Sequence, residues 1–403
     1  MMFSRQSLLD DRNVAPPQPV STFYFTTLII VAGVLFGVDF IPQQPHRRQD
    51  KSSVASAYCN WDGVWYTSIA AQGYSFDPSR HSNVAFFPAL PILARCVMAC
   101  GVGAELALLM ISHLAALITA FTVHEYLSDE EPYATPITLT VMFIWPMSLF
   151  LRMGYSESLL LLASVLLLTG IKRRWPLWTL SVLCGFATAT RSAGIALLIP
   201  LVWECWTRTQ SLRGFVPCML WAVPLACWGI VVYMGYLQLT CGDSFAFVQT
   251  QQHWSQRPYP SLMEFAYRMV VCEPIWDVYV PSSPAYWARD EHVKNPVFSL
   301  SFWNPIYFLL CATSVAYGAK KKWLTIPECL LAAGLLGIPY FLQGHRMLMQ
   351  GHGRFTCVVF PMFIVLGRLM ARWPSSLQAI AFALMAVQLF YWSALFAAWH
   401  RVF

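Results

Sequence analysis

Apolar stretches long enough to cross a bilayer recur through nearly the whole of this chain. The first, residues 22–41, is interrupted only by Asp39. It comes close to the roughly 20 residues that a helix needs to traverse the hydrocarbon core. Inside lipid the backbone polar groups of such a run must be satisfied within the segment, as they are in a helix. Only 11% of the 403 residues are charged and 57% are hydrophobic, against about 25% charged in an ordinary soluble domain. The expected fold class is therefore an all-α polytopic membrane protein.

Apolar runs at 22–41, 104–124, 134–151, 155–171, 175–190, 191–206, 214–238, 297–318, 323–343, 354–371 and 375–398 give about eleven spans. No Gly/Ser linker or low-complexity tract divides them, so residues 1–403 read as a single integral membrane domain. A polar tail over 1–21, a first loop over 42–103 and a second large loop over 239–296 lie between or outside the spans. The first run is too long for the apolar part of a cleaved signal, and no small-residue cleavage pattern follows it. Residues 84–101 carry Pro88, Pro91 and Arg95 and read as interfacial. With that choice Arg5, Arg12, Lys172-Arg173-Arg174, Arg208, Arg213, Lys320-Lys321-Lys322 and Arg372 share one face, which the positive-inside rule makes cytoplasmic. Arg47, Arg48 and Lys51, in the first outer loop, run against the rule. The 1–21 tail is then cytoplasmic, and both large loops are non-cytoplasmic.

The first outer loop holds the stretch Asn60-Trp61-Asp62-Gly63-Val64-Trp65-Tyr66, continuing to Gly73-Tyr74. A helix starting near Asn60 as N-cap would put Asp62 in its first turn, where the helix terminus favours an ionised acid. Trp61 with Trp65, and Asp62 with Tyr66, would then pair at i,i+4. Two readings stay open: a carboxylate poised as a base, or a capping Asp on a helix that floats on its aromatic belt.

Further charges sit at the outer ends of spans. Glu157 begins one, Arg191 divides an apolar region, and Arg354 opens another. Ionisable groups at such depth face a cavity or a partner. An ion pair between Glu157 and Arg191 is the structural reading. The functional one is that an arginine meets a lipid-linked phosphate, whose oxygens match the planar guanidinium fork. The 239–296 loop adds Asp243, Gln249, Gln252, His253, Trp254, Asp277, Asp290 and Glu291, a mixture of aromatics and amides suited to a sugar or headgroup.

His345 and His352 have no carboxylate or cysteine at metal-ligand spacing, so no metal is expected. No nucleotide-binding glycine loop or serine-nucleophile elbow occurs, and no cofactor is expected. The +6 net charge lies in short clusters between spans, a topology signal that argues against a nucleic-acid partner. Of the 12 cysteines, Cys59, Cys241 and Cys272 fall in polar loops, where one disulfide could form in an oxidising compartment.

Trp61-Asp62, Gly73-Tyr74 and Ala85-Phe86-Phe87-Pro88 with Pro91 resemble the signature of the PIG-V family, which supplies the second mannose in glycosylphosphatidylinositol (GPI) assembly. Tyr155-Ser156-Glu157 and Thr190-Arg191-Ser192 with Gly194 are similar to two further family motifs, in the same order. The likeness covers the first half of the chain, with weak similarity around Arg354 to Gly367. It implies GT-C architecture, a multi-span glycosyltransferase using a polyprenyl-phosphate sugar. It also implies dolichyl- or polyprenyl-phosphate mannose as donor and Asp62 as the catalytic acid position. Ala193 stands where the family pattern has Asn, and the chain is shorter than eukaryotic members. Both departures bear on the acceptor, because a bacterial relative could keep the mannosyl transfer without GPI.

The expected activity is thus an inverting mannosyl transfer to a lipid-linked glycan, with Asp62 catalytic. Arg191, Arg354, Glu157, Trp61, Tyr155 and His253 are the expected substrate- and donor-phosphate-binding residues. Membrane lipids are expected partners, and a small membrane subunit is a further one to consider. The location would be the endoplasmic reticulum membrane with a lumenal site in a eukaryote, or the plasma membrane with an outward site in a bacterium. A GT-C enzyme for another sugar or acceptor, a lipid or sugar transporter built on broken helices, and a non-catalytic scaffold subunit remain the rival readings.

Overall fold

A computed structural model of the chain describes residues 19–43, 53–258, 260–289 and 295–400. Arg5, Arg12, Arg47, Arg48, Lys51, Asp290 and Glu291 lie outside them. Among the described residues all regular structure is helical.

The first helix, Pro19–Phe40, opens on a proline, whose missing N–H costs nothing in a first turn. Residues 19–21 therefore belong to this helix and not to the polar tail expected over 1–21. It packs along the last helix, Ser375–Ala397, through Gly33 and Gly37. A Cβ at these two positions would stand 2.5 Å from the carbonyl oxygen of Phe390 and 2.1 Å from that of Ala394. Small residues four apart let two backbones approach in lipid, where apolar side chains gain nothing by leaving the tails. The two ends of the chain are joined in this way.

Among the described residues four helices are long and apolar enough to cross a membrane: Pro19–Phe40, Ala104–Leu127, Ile326–Gly344 and Ser375–Ala397. Two bent pairs, Leu212–Ala226 with Trp228–Cys241 at 52° and His352–Val358 with Phe360–Met370 at 77°, raise the number to six if each is one span. This is a membrane-protein pattern, with fewer full-length helices than the eleven or so apolar runs. Part of the difference comes from breaks inside the runs or between them. Trp145 precedes Pro146 and leaves the helical region at φ −51°, ψ 132°, ending the helix Thr135–Ile144. Arg191 is extended between Leu177–Thr190 and the 3₁₀ turn Ser192–Leu197. Gly194 lets that turn fold back, since a Cβ there would lie 2.0 Å from the Ala187 carbonyl oxygen.

The helix Ala89–Met98 has 10 residues, about 15 Å of rise against a hydrocarbon core of about 30 Å. It is too short to span. Its Arg95 donates to the carbonyls of Ile69 and Ala70 at 3.1 and 2.9 Å. These belong to the last turn of the helix Asp62–Gln72, where Ile69 also accepts the Gly73 N–H at 2.9 Å. The cation thereby fixes that helix from its C-terminal end.

Candidate active site

Asp62 is placed by contacts that reach across the whole chain. Asn60 is not the N-cap of Asp62–Gln72; Trp61 occupies that position. The Asn60 amide instead donates to the carbonyls of Phe396 and Ala397, both at 3.0 Å, at the C-terminal end of the last helix. Trp61 then turns at φ 58°, ψ −117°, an unfavourable conformation for a bulky residue. Its ring packs on Trp399, 5.7 Å between centroids, and not on Trp65. The expected i,i+4 pairing of Trp61 with Trp65 therefore fails, because Trp61 lies before the helix. Strain of this kind persists where surroundings over-determine it, and here Tyr155 completes the constraint. Its buried hydroxyl accepts from the Asp62 N–H at 3.0 Å and donates to the Asn60 carbonyl at 3.1 Å. Tyr66, one turn on, pairs with the Ser156 hydroxyl at 2.9 Å. Burial pushes the Tyr66 hydroxyl up to about 12, so it keeps its proton at neutral pH.

The side chain of Asp62 meets Arg354. Nη1 of Arg354 donates to Oδ2 of Asp62 at 2.6 Å, while its Nε donates to Oε1 of Glu157. Arg191 donates to the same Glu157 oxygen. Two guanidiniums and two carboxylates thus form one chain of ion pairs. Glu157 lies at its buried centre with 1% of its side chain exposed, and Asp62 at its open end with 24% exposed. The Arg354 guanidinium also lies 4.8 Å from the Tyr155 ring and 5.2 Å from the Phe150 ring. Aromatic faces are among the few surroundings that favour a cation away from water.

This charge chain borders a cavity of about 670 Å³. Asp62, Arg191 and Arg354 line it, as do Ile338, Pro339 and Leu342. Leu342 and its neighbour Phe341 are exposed, at the π turn Tyr340–Gly344 that ends the helix Ile326–Pro339. Trp65, Phe86, His81, His253 and Trp254 line it as well.

Of the residues marked in the sequence, Asp62, Trp61, Arg191, Arg354 and His253 line the cavity, and Glu157 and Tyr155 stand behind it. His253 is on the loop side, its Nε2 3.0 Å from the Pro78 carbonyl. The Glu157–Arg191 ion pair anticipated as a structural reading is present, and Arg354 joins it. Asp243 and Gln249 hold each other outside the cavity, and Asp277 is taken by Arg257. Among the described residues no three His, Cys, Asp or Glu side chains gather where a metal could sit. Cys59, Cys241 and Cys272 are free thiols with no disulfide.

Three features escaped the sequence reading. Arg152 is buried with its guanidinium 4.6 Å from the Phe143 ring, donating to Thr26 at 2.6 Å and to the carbonyls of Phe143 and Ser148. It serves the broken end of Thr135–Ile144 and takes no part in the cavity. Arg257 joins Glu273 at 2.9 Å and Asp277, and His345 lies 3.0 Å from Glu273. Through this network and the 3.0 Å bond from Gln256 N–H to the Arg346 carbonyl, the 239–296 loop is fastened over the segment that carries Arg354. Only the opposite charges in the two segments hinted at this.

No family model matches the chain, and no curated protein matches it. Among solved structures it is similar to an oligosaccharyltransferase from Archaeoglobus fulgidus, crystallised with a tethered acceptor peptide containing the NVT sequon. The two are 13% identical with a TM-score of 0.36, over 94% of this chain and 55% of the other. The chain spans about half the length of that protein.

Proposed function

We propose that the protein is an inverting, metal-independent glycosyltransferase of GT-C architecture. In this reading it moves mannose from dolichyl- or polyprenyl-phosphate mannose to a lipid-linked glycan, as in the second mannose addition of GPI assembly. The observation that carries the reading is the shared cavity wall of Asp62, Arg191 and Arg354. One carboxylate and two guanidiniums border a space large enough for a sugar phosphate.

The acceptor hydroxyl lies against Asp62, whose carboxylate takes its proton as the oxygen attacks the anomeric carbon. A new carbon–oxygen bond forms on one face of the sugar. The bond to the lipid phosphate breaks on the other, its electron pair passing to the phosphate oxygen. The leaving group is a weak base and needs charge stabilisation more than a proton. Arg191 and Arg354 supply it through donors aimed at the oxygen where charge develops. Glu157 keeps both guanidiniums in place. Ile338 and Leu342 offer an apolar side to the prenyl chain, so the lipid reaches Arg191 laterally and much of the rate comes from positioning.

Asp62→Asn in proteoliposomes should abolish transfer from radiolabelled polyprenyl-phosphate mannose to a panel of lipid acceptors, with expression and monodispersity unchanged. Retained turnover in that variant would refute the assignment.

A further inference from the structure

Another set of residues on the cavity's wall has a different chemistry. It is built from rings: Trp65 stacks on Phe86 at 5.9 Å and 16°, Trp254 meets His81 edge-on at 4.5 Å, and Trp65 meets Trp254 at 6.2 Å. The amides of Gln251, Gln256 and Gln350 line the same cavity, the last two joined at 2.6 Å. Among the described residues Asp62, Arg191 and Arg354 are the only Asp, Glu, Lys or Arg on that wall, and Glu157 ties the two arginines together. The indoles and Phe86 offer an ionic ligand no counter-charge. A flat, neutral, hydroxyl-bearing ring fits both features, because its C–H face meets the negative face of an indole while its hydroxyls reach amides that both donate and accept.

The wall does not end there. Trp65 and His81 also line a second hollow of about 460 Å³, with Ser75, Asp77, Ser82 and Asn83 along it. The same two rings thus separate and join two spaces. Part of this hollow is held rigid: the Ser75 N–H donates to Asn83 at 2.8 Å, and the Asn83 amide donates to the Gly73 carbonyl at 3.0 Å. Its charged side chains neutralise each other, since Arg80 pairs with Asp77 at 2.8 Å.

We infer that the two hollows form one extended groove for a neutral oligosaccharide, running from Asp62 across Trp65 and His81. This rests on the glycosyl-transfer reading and adds to it. The acceptor is recognised over more than one sugar residue, by ring stacking on Trp65, Trp254 and His81. The sugar carrying the attacked hydroxyl sits at Asp62, and the residues behind it occupy the second hollow.

The full-length protein in detergent, titrated calorimetrically with methyl α-mannoside, mannobiose and mannotriose, tests this without turnover. Affinity should rise at least about fivefold from one residue to three. His81→Ala, at an exposed position, and Trp254→Ala should each weaken the trisaccharide about tenfold, with less effect on the monosaccharide. Equal affinity at every length, an unchanged His81→Ala variant, or a neutral peptide competing as well as mannotriose would overturn the groove, even with transfer intact. Transfer surviving in Asp62→Asn would overturn the reaction, while length-dependent binding would still stand.

Discussion

Replacing Glu157 by glutamine isolates the charge logic of the site. In the wild type two guanidiniums are balanced by the carboxylates of Glu157 and Asp62, so the phosphate of an arriving donor is one negative charge in excess. Glu157→Gln keeps an oxygen where Arg191 and Arg354 donate and removes that excess. With one guanidinium between them, the Glu157 and phosphate charges lie about 6–8 Å apart. At an effective dielectric constant of about 20 their repulsion is roughly 2–3 kcal/mol. The variant should therefore bind polyprenyl phosphate at least about 30- to 100-fold more tightly, the factor for a single negative charge. Turnover should fall, because the dianionic product is held by the same charges. A cost in stability follows as well, since removing one partner of a buried ion pair costs about 3–5 kcal/mol and the glutamine oxygen recovers part of it. Equilibrium binding of polyprenyl phosphate in nanodiscs, beside a thermal unfolding curve, measures both effects. Weaker phosphate binding in a variant that still folds would show that Arg191 and Arg354 do not meet the phosphate.

Four other outcomes follow from the same geometry. Arg354→Lys should lower turnover about 100-fold with the fold retained, because a single ammonium cannot hold Asp62 and Glu157 in one planar fork; steady-state kinetics in proteoliposomes checks it. Gly37→Ala should destabilise by about 1–3 kcal/mol, its Cβ falling 2.1 Å from the Ala394 carbonyl oxygen. Gly235→Ala, whose Cβ would meet nothing within 4 Å, should instead gain up to about 1 kcal/mol from helix propensity; paired thermal melts compare the two. Arg257→Ala takes the arginine partner from the buried Asp277 carboxylate and leaves Glu273 to Arg268 and His345. It should raise KM more than it lowers kcat, with faster amide exchange over 250–257 and 343–350 read by mass spectrometry.

The parts of this protein that were legible in its sequence are those whose signal is local. A charge at the outer end of an apolar run, or among aromatics as at Asp62, is conspicuous wherever its partner lies, so Asp62, Glu157, Arg191 and Arg354 stood out one by one. The oil around them leaves an unpaired ion few places to go. Their pairing was legible only in part, because Glu157 can join Arg191, Arg354 or both without any change in local pattern. Helix ends were less visible still. Pro146 sits in an apolar run that reads as one span over 134–151, and composition alone does not weigh a proline's break against the run that contains it. Least legible was what aims Asp62. The Asn60 side chain looks like a helix cap, and in isolation it would be one. The carbonyls of Phe396 and Ala397 compete for the same amide, and they are near because the last helix packs on the first through Gly33 and Gly37 and on Phe150 and Tyr155 through Phe396. Once Asn60 is turned outward, Trp61 must take a positive φ for Asp62 to enter the helix, and Trp399 must be there to receive the displaced indole. The orientation of the candidate base is thus set by glycines at one end of the chain and carbonyls at the other.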